Sequence, residues 1–168
     1  MRKLYYILFA VCIMISCSVV KPKLYIIQGH VTHSKSWCSG MAPGPDYYQE
    51  EQNPASYIGL KLYIKRGKEN STKSKIYTSI ITDTAGNFTL KLSAGNYIII
   101  REDKLKKAII PQDAQYAKWD SACIIENWQN GDYKFSVNEK SNKKISFDLR
   151  QYCTWNYPCL EYSGPLPP

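Results

Sequence analysis

The sequence predicts a mainly β fold, an antiparallel β-sandwich of about seven strands with one short helix and disulfide-stapled loops. Three observations carry that expectation. Apolar and polar residues alternate with period two in four separate runs, glycine-centred turns punctuate the chain, and four cysteines remain beyond the N-terminal segment.

The alternation is cleanest over Ile58 to Ile64, where Ile58, Leu60, Leu62 and Ile64 alternate with Gly59, Lys61 and Tyr63. It recurs in Phe88-Leu90-Leu92, in Tyr133-Phe135-Val137 and in Ile145-Phe147-Leu149. Successive strand residues point to opposite faces, so each run has one side for a core and one for water. Leu24 to Thr32, Lys75 to Thr82 and Tyr97 to Arg101 read as further strands with less regular faces. Seven strands joined mostly by turns imply an antiparallel sandwich.

Asp83-Thr84-Ala85-Gly86-Asn87 puts aspartate at the head of a tight turn and glycine where positive φ is needed, and Ser93-Ala94-Gly95-Asn96 repeats the pattern. One helix is expected over Ala114 to Trp128, opened by Pro111 and Asp113 and closed before Gly131. Two segments fit neither strand nor helix: an insert loop, 34–56, and the C-terminal tail, 152–168. Both are aromatic and both hold cysteines, so each is expected to be stapled onto the sandwich.

The N-terminus speaks to location. Arg2 and Lys3 precede an uncharged run from Leu4 to Ile15. Twelve helical residues reach about 18 Å, short of a hydrocarbon core of about 30 Å, so the run reads as a signal-peptide core rather than a span. Met14-Ile15-Ser16-Cys17 resembles the lipobox of bacterial lipoproteins, in a relaxed form similar to that of Bacteroidetes. The resemblance implies cleavage after Ser16, diacylglycerol on Cys17, and a tether, 17–23, ahead of a single domain over 24–168. Ser18 is not the aspartate associated with inner-membrane retention, and Val19-Val20-Lys21-Pro22-Lys23 lacks an acidic surface-export cluster. The expected location is therefore the cell envelope, lipid-anchored to the outer membrane and facing the periplasm.

Removing residues 1–16 leaves 168 − 16 = 152 residues, a normal size for one domain. The signal takes two positive charges with it, so the mature chain carries 20 − 14 = +6. Its lysines are scattered or sit in turns, which predicts a solvated surface with loose attraction to acidic lipid or glycan, and no nucleic-acid partner. Cys38, Cys123, Cys153 and Cys159 form an even set in an oxidising compartment, which predicts two disulfides with three possible connectivities. A metal site is disfavoured: no Cys-x-x-Cys pair occurs, and His30 and His33 are an odd number of strand residues apart.

Four pieces in order, Gln28-Gly29-His30-Val31-Thr32, Gly59 to Ile64, Thr82 to Phe88 and Leu92 to Tyr97, resemble the carboxypeptidase regulatory-like domain. That family has a transthyretin-like (prealbumin-like) sandwich. The resemblance spans roughly residues 24–101 and departs in the insert loop, the helix and two added strands. It implies a noncatalytic module for binding, stability or assembly, since such a fold does not set function by itself.

Motifs for nucleophilic, metal-dependent or phosphate chemistry are missing from the sequence, and no cofactor is expected. Hydrolysis would rest on Asp46, Glu50 and Glu51, which share one side if the segment is helical. Such a hydrolase needs a cleft joining those carboxylates to Trp155 and Tyr157. Asp83 and Asn87 suit a hairpin turn better than a calcium loop. Asp83-Thr84-Ala85 and Asp120-Ser121-Ala122 resemble the O-glycosylation motif of Bacteroidetes, and Asn70-Ser71-Thr72 and Asn87-Phe88-Thr89 are sequons in form. Tyr47, Tyr48, Trp155, Tyr157 and Tyr162 occupy the two irregular segments, where a rigid sandwich usually carries recognition. The expected function is a noncatalytic envelope lipoprotein for binding or assembly, partnered by the membrane through its lipid and by an envelope protein, glycan or peptide. An accessory sugar- or peptide-binding role beside an outer-membrane uptake system is the alternative, and the hydrolase stands behind both.

Overall fold

The computed structural model describes residues 22–165. The signal peptide, Cys17 and most of the tether lie outside the described residues. Among the described residues no helix is long and apolar enough to cross a membrane.

Ten strands form two packed sheets and a short ribbon. β1 (Leu24–Lys35) is the centre of one sheet, with β5 (Asn87–Ser93) and the short β2 (Ala55–Ser56) along one edge and β9 (Lys144–Gln151) along the other. The facing sheet runs in the order β4 (Ile76–Ile81), β3 (Lys61–Arg66), β6 (Gly95–Ile100), β8 (Tyr133–Val137), with every pair antiparallel. The third piece pairs β7 (Ala117–Trp119) with β10 (Leu160–Tyr162).

The core is made of the alternating residues. Ile27 and Val31, Leu62 and Ile64, Phe88, Leu90 and Leu92, and Ile145, Phe147 and Leu149 all meet between the sheets. At about 25 cal/mol per Å² of apolar surface removed from water, this layer is the main favourable term in folding.

One strand departs from the antiparallel expectation. β9 runs parallel to β1, from Gln28 beside Lys144 to Lys35 beside Gln151. The chain crosses from β8 in the facing sheet through the 138–143 turn, so β9 enters at the end where β1 also begins. Period-two alternation reports the face of a residue and not the direction of its strand.

The Ser93–Asn96 turn is likewise a corner between sheets rather than a hairpin, because β5 and β6 belong to different sheets. Gly95 takes a φ of +154°, and the buried Tyr97 hydroxyl closes the corner by donating to the Ser93 carbonyl at 2.9 Å.

The helix expected over Ala114 to Trp128 is shorter and later, α2 at Ser121–Asn130. Asp120 is its cap, accepting from the backbone N–H groups of Ala122 at 2.9 Å and Cys123 at 3.0 Å. Asp113 instead accepts from the Trp119 N–H at 2.8 Å, tying the start of the segment to β7. The insert loop is not irregular throughout: Ser34 and Lys35 extend β1, Pro45–Gln52 forms helix α1 with proline in its first turn, and β2 follows. The tail contains β10 in the same way.

The four cysteines form Cys38–Cys153, 115 residues apart, and Cys123–Cys159, 36 apart. The first ties the insert to the tail, and the second ties the tail to α2. Asn70, head of one formal sequon, is buried with its amide donating to the carbonyls of Lys104 and Trp128.

Candidate functional site

The C-terminal halves of β1 and β9, the C-terminus of β6 and the N-terminus of β8 all finish at one end of the sandwich. A short 3-10 turn, Glu102–Leu105, follows β6 there. Together with the 152–158 loop these ends enclose a cleft of about 560 Å³, lined by His33, Tyr57, Arg101, Asp132, Arg150 and Tyr157 among others.

Asp132 anchors its floor. Its side chain is only 3% exposed, yet it faces Arg101 Nε at 3.3 Å and Lys104 Nζ at 3.3 Å. It also accepts from the Arg101 backbone N–H at 2.6 Å. Burial pulls the Arg101 guanidinium down, but the charges of Asp132 and Asp103 outweigh it and hold the group above its ordinary value. Lys104 also donates to the Gly131 carbonyl at 2.7 Å, which secures the turn between α2 and β8.

The opposite wall is equally self-contained. Asp148 on β9 accepts from the Thr32 hydroxyl at 2.8 Å and the Ser34 hydroxyl at 2.5 Å, both on the parallel neighbour β1. Arg150 pairs with Glu51 of α1, and the hydrogen bond that it donates to that carboxylate raises its pKa. Carboxylates and cations here mostly satisfy one another, leaving a polar cleft without a strong unbalanced charge.

Aromatic faces complete the lining. Tyr57 meets His33 edge to face at 5.2 Å between ring centres. Tyr157 is half exposed and lies 5.7 Å from both Trp119 and Tyr152. Its loop is closed by Cys153 at one end and Cys159 at the other, each in a disulfide. Cys159 takes a φ of +69°, a left-handed conformation that turns the chain into β10. Tyr157 also borders a more apolar groove of about 470 Å³ with Ile109, Ile124 and Trp128.

The five aromatic candidates do not converge. Tyr157 is in the cleft, whereas Tyr47 lines a neighbouring hollow of about 280 Å³ with His33, Glu50 and Glu51. Tyr47 stacks edge-on with Trp37 and Tyr48, and its hydroxyl accepts from the Trp37 N–H at 3.1 Å. Tyr48 is exposed on α1. Trp155 buries an indole N–H that has no protein partner. Tyr162 sits on β10 and donates to the Pro165 carbonyl at 3.0 Å. Neither Trp155 nor Tyr162 lines the cleft or its two neighbours.

The carboxylate set fares worse. Glu51 is committed to Arg150, Glu50 lines the α1 hollow, and Asp46 lines neither it nor the cleft. Among the described residues none of the three hollows lined by Tyr157, Glu50 or Glu51 also holds Asp46 or Trp155. Among the described residues no group of three or more His, Cys, Asp or Glu could hold a metal ion. Arg101, Lys104, Asp132, Asp148 and Arg150 escaped the sequence reading because they come from different parts of the chain, in no motif.

No protein-family model matches the chain, and no curated protein matches it. Among solved structures it is similar to the shaft pilin SpaA of Lactobacillus rhamnosus GG, at 8% identity over 77% of this chain with a TM-score of 0.41. The chain spans about half of that pilin, 51% of its length. The N-terminal domain of the same pilin aligns at 9% identity, over 76% of this chain and 92% of that one, with a TM-score of 0.36. The plantain pollen allergen Pla l 1 aligns at 15% identity, over 76% and 94%, with a TM-score of 0.32.

Proposed function

We propose that this chain is a noncatalytic lipoprotein of the bacterial envelope, held through Cys17 on the periplasmic side of the outer membrane. Its sandwich then displays a cleft that binds a glycan, a peptide segment or an envelope partner. The carrying observation is Tyr157, an exposed ring at the cleft held in a loop closed by disulfides at both ends. A ring fixed before binding loses little conformational freedom on contact, which is how a rigid paratope gains affinity.

The mutual neutralisation of Asp103 and Asp132 with Arg101 and Lys104, and of Glu51 with Arg150, favours a neutral ligand rich in hydroxyl or amide groups over a highly charged one. The resemblance to the carboxypeptidase regulatory-like domain in the Gly29 strand and the Gly86 and Gly95 turns supports a module role. The accessory-binder reading differs only in the partner, an outer-membrane uptake system.

The length of β1 supports a cleft held away from the anchor. Twelve residues of strand span roughly 36 Å, from Leu24 next to the tether to Lys35 beside the cleft. Mass spectrometry of the membrane fraction should find diacylglycerol on Cys17. An array of neutral oligosaccharides and peptides should give a saturable ligand whose binding Tyr157→Ala weakens about tenfold. A free Cys17 thiol would sink the anchor, and ligands indifferent to Tyr157→Ala would sink the cleft.

A further inference from the structure

Basic and acidic side chains are unequally shared between the two ends of the sandwich. The cleft end carries Glu50, Glu51, Asp103, Asp132 and Asp148 among its cations. The opposite end, where β1 begins, gathers Lys23, the Arg66 end of β3, and the 138–144 turn. These are contiguous: Lys23 Nζ meets Glu139 at 2.6 Å, Lys143 Nζ lies 4.9 Å over the Tyr25 ring, and Arg66 donates to the Ala94 carbonyl at 3.1 Å. Glu139 is the carboxylate within this cluster, and Lys23 already holds it.

The turn is preformed. The Asn138 side chain accepts from the N–H groups of Lys140 and Ser141 at 2.8 Å each, and Lys143 Nζ donates to the Asn138 carbonyl at 2.9 Å. Lys140 and Lys144 are exposed and, among the described residues, form no ion pair.

Beside them, on the outward face of the β1 sheet, Leu24 and Ile26 are 55% and 56% exposed. Ile26 is registered against Lys91, and Gln28 against Lys144. Two bare aliphatic side chains rimmed by lysines are the composition of a surface that enters a headgroup layer, apolar groups reaching inward and ammonium groups meeting phosphate.

We propose that this end of the sandwich, Lys23, Leu24, Ile26, Lys91, Lys140 and Lys144, docks on an anionic phospholipid bilayer. The inference rests on the Cys17 anchor for its geometry: the seven steps from Cys17 to Leu24 extend at most about 25 Å, so the basic end stays close to the surface. Exposed charges act over about 8–10 Å at physiological salt, so only an end held this near a bilayer feels its phosphates. Docking would point the cleft at the far end of β1 away from the membrane.

The full chain purified from membranes is reconstituted into vesicles of phosphatidylcholine alone or with about one-third phosphatidylglycerol, and backbone hydrogen exchange is compared. Residues 24–28 and 138–144 are expected to exchange about tenfold more slowly on the anionic vesicles. The slowing should vanish in high salt and in Lys140→Glu/Lys144→Glu, while Lys106→Glu/Lys107→Glu at the cleft end keeps it. Equal exchange on both vesicles overturns the docking, as does protection concentrated near Ile109 and Trp128. Protection by a soluble anionic polysaccharide as strong as that by anionic vesicles assigns the patch to glycan and overturns it too. A chain that fails to float with phosphatidylcholine vesicles refutes the anchor. The docking falls with it, because only an end held by the anchor lies within reach of the phosphates, whereas equal exchange on a chain that floats overturns the docking alone.

Discussion

Gly29 lies beneath the ring of Phe88: a Cβ on Gly29 would fall 2.0 Å from Phe88 Cζ. The two residues are registered partners on β1 and β5, and the ring turns into the core edge-on to Phe147 at 6.5 Å. Gly29 is therefore required for space. Gly29→Ala should destabilise the fold by about 2–3 kcal/mol, because the ring cannot retreat without displacing other core residues. Gly44→Ala, with nothing within 4 Å of the new methyl, is the matched control. Thermal melts of the two variants decide it; equal Tm values would show that the Phe88 ring yields freely.

The two disulfides close loops of different length, 115 residues for Cys38–Cys153 and 36 for Cys123–Cys159. If restriction of the unfolded chain dominates, removing the longer costs about 5 kcal/mol and the shorter about 4 kcal/mol. The Cys38→Ser/Cys153→Ser and Cys123→Ser/Cys159→Ser pairs, compared by urea unfolding, should both be less stable than the parent. Both should also weaken ligand capture at Tyr157, since each frees one end of its loop. A variant that loses stability and keeps full affinity would show that the clamp serves the fold alone.

Seven of the strands were legible: β3, β5, β8 and β9 alternate a wet face with a dry one, which is a local signal, while β1, β4 and β6 read as less regular runs, β6 being buried on both faces. The parallel course of β9 was not, because direction depends on where the 138–143 turn delivers the chain. The start of α2 was missed for a related reason: Asp113 and Asp120 both look like caps, and what separates them is the pairing of Ala117 with Tyr162, far along the chain. Cysteine spacing left three connectivities open until the fold brought Cys38 to Cys153 and Cys123 to Cys159. Of the five aromatic residues expected in a binding role, Tyr157 lines the cleft. Arg101 follows β6, Asp132 precedes β8 and Asp148 lies within β9, so nothing local marks them as neighbours.

Asp132 joins the cleft floor to the fold. Its buried carboxylate takes the Arg101 N–H and faces two cations, so Asp132→Ala leaves that N–H unpaired and takes from Arg101 and Lys104 their nearest carboxylate. The expected loss is about 3 kcal/mol, towards the lower end for buried pairs because Arg101 keeps some access to water. Asp132→Asn, retaining an acceptor for the Arg101 N–H, should lose less. Chemical denaturation of the two variants is the measurement, and an equal loss would mean that charge alone holds this end of the sandwich.

Lys65 offers a pH-dependent test. It is 2% exposed on β3, and its ammonium donates to Asn70 Oδ1 at 2.9 Å and the Ser71 carbonyl at 2.8 Å, with no carboxylate to pair it. Burial lowers its pKa from 10.5. Between the lowered value and 10.5 the unfolded chain binds more proton at this site than the folded one, so stability rises with pH across that window. Below the window the cost of charging the buried amine is fully present and constant. Lys65→Met removes the titration while keeping most of the side-chain volume. The stability of the parent relative to Lys65→Met should therefore climb as pH rises from neutral towards 10.5. Urea unfolding of both proteins at several pH values measures that difference, and a difference that stays flat or falls would mean the ammonium is as well solvated in the fold as in water.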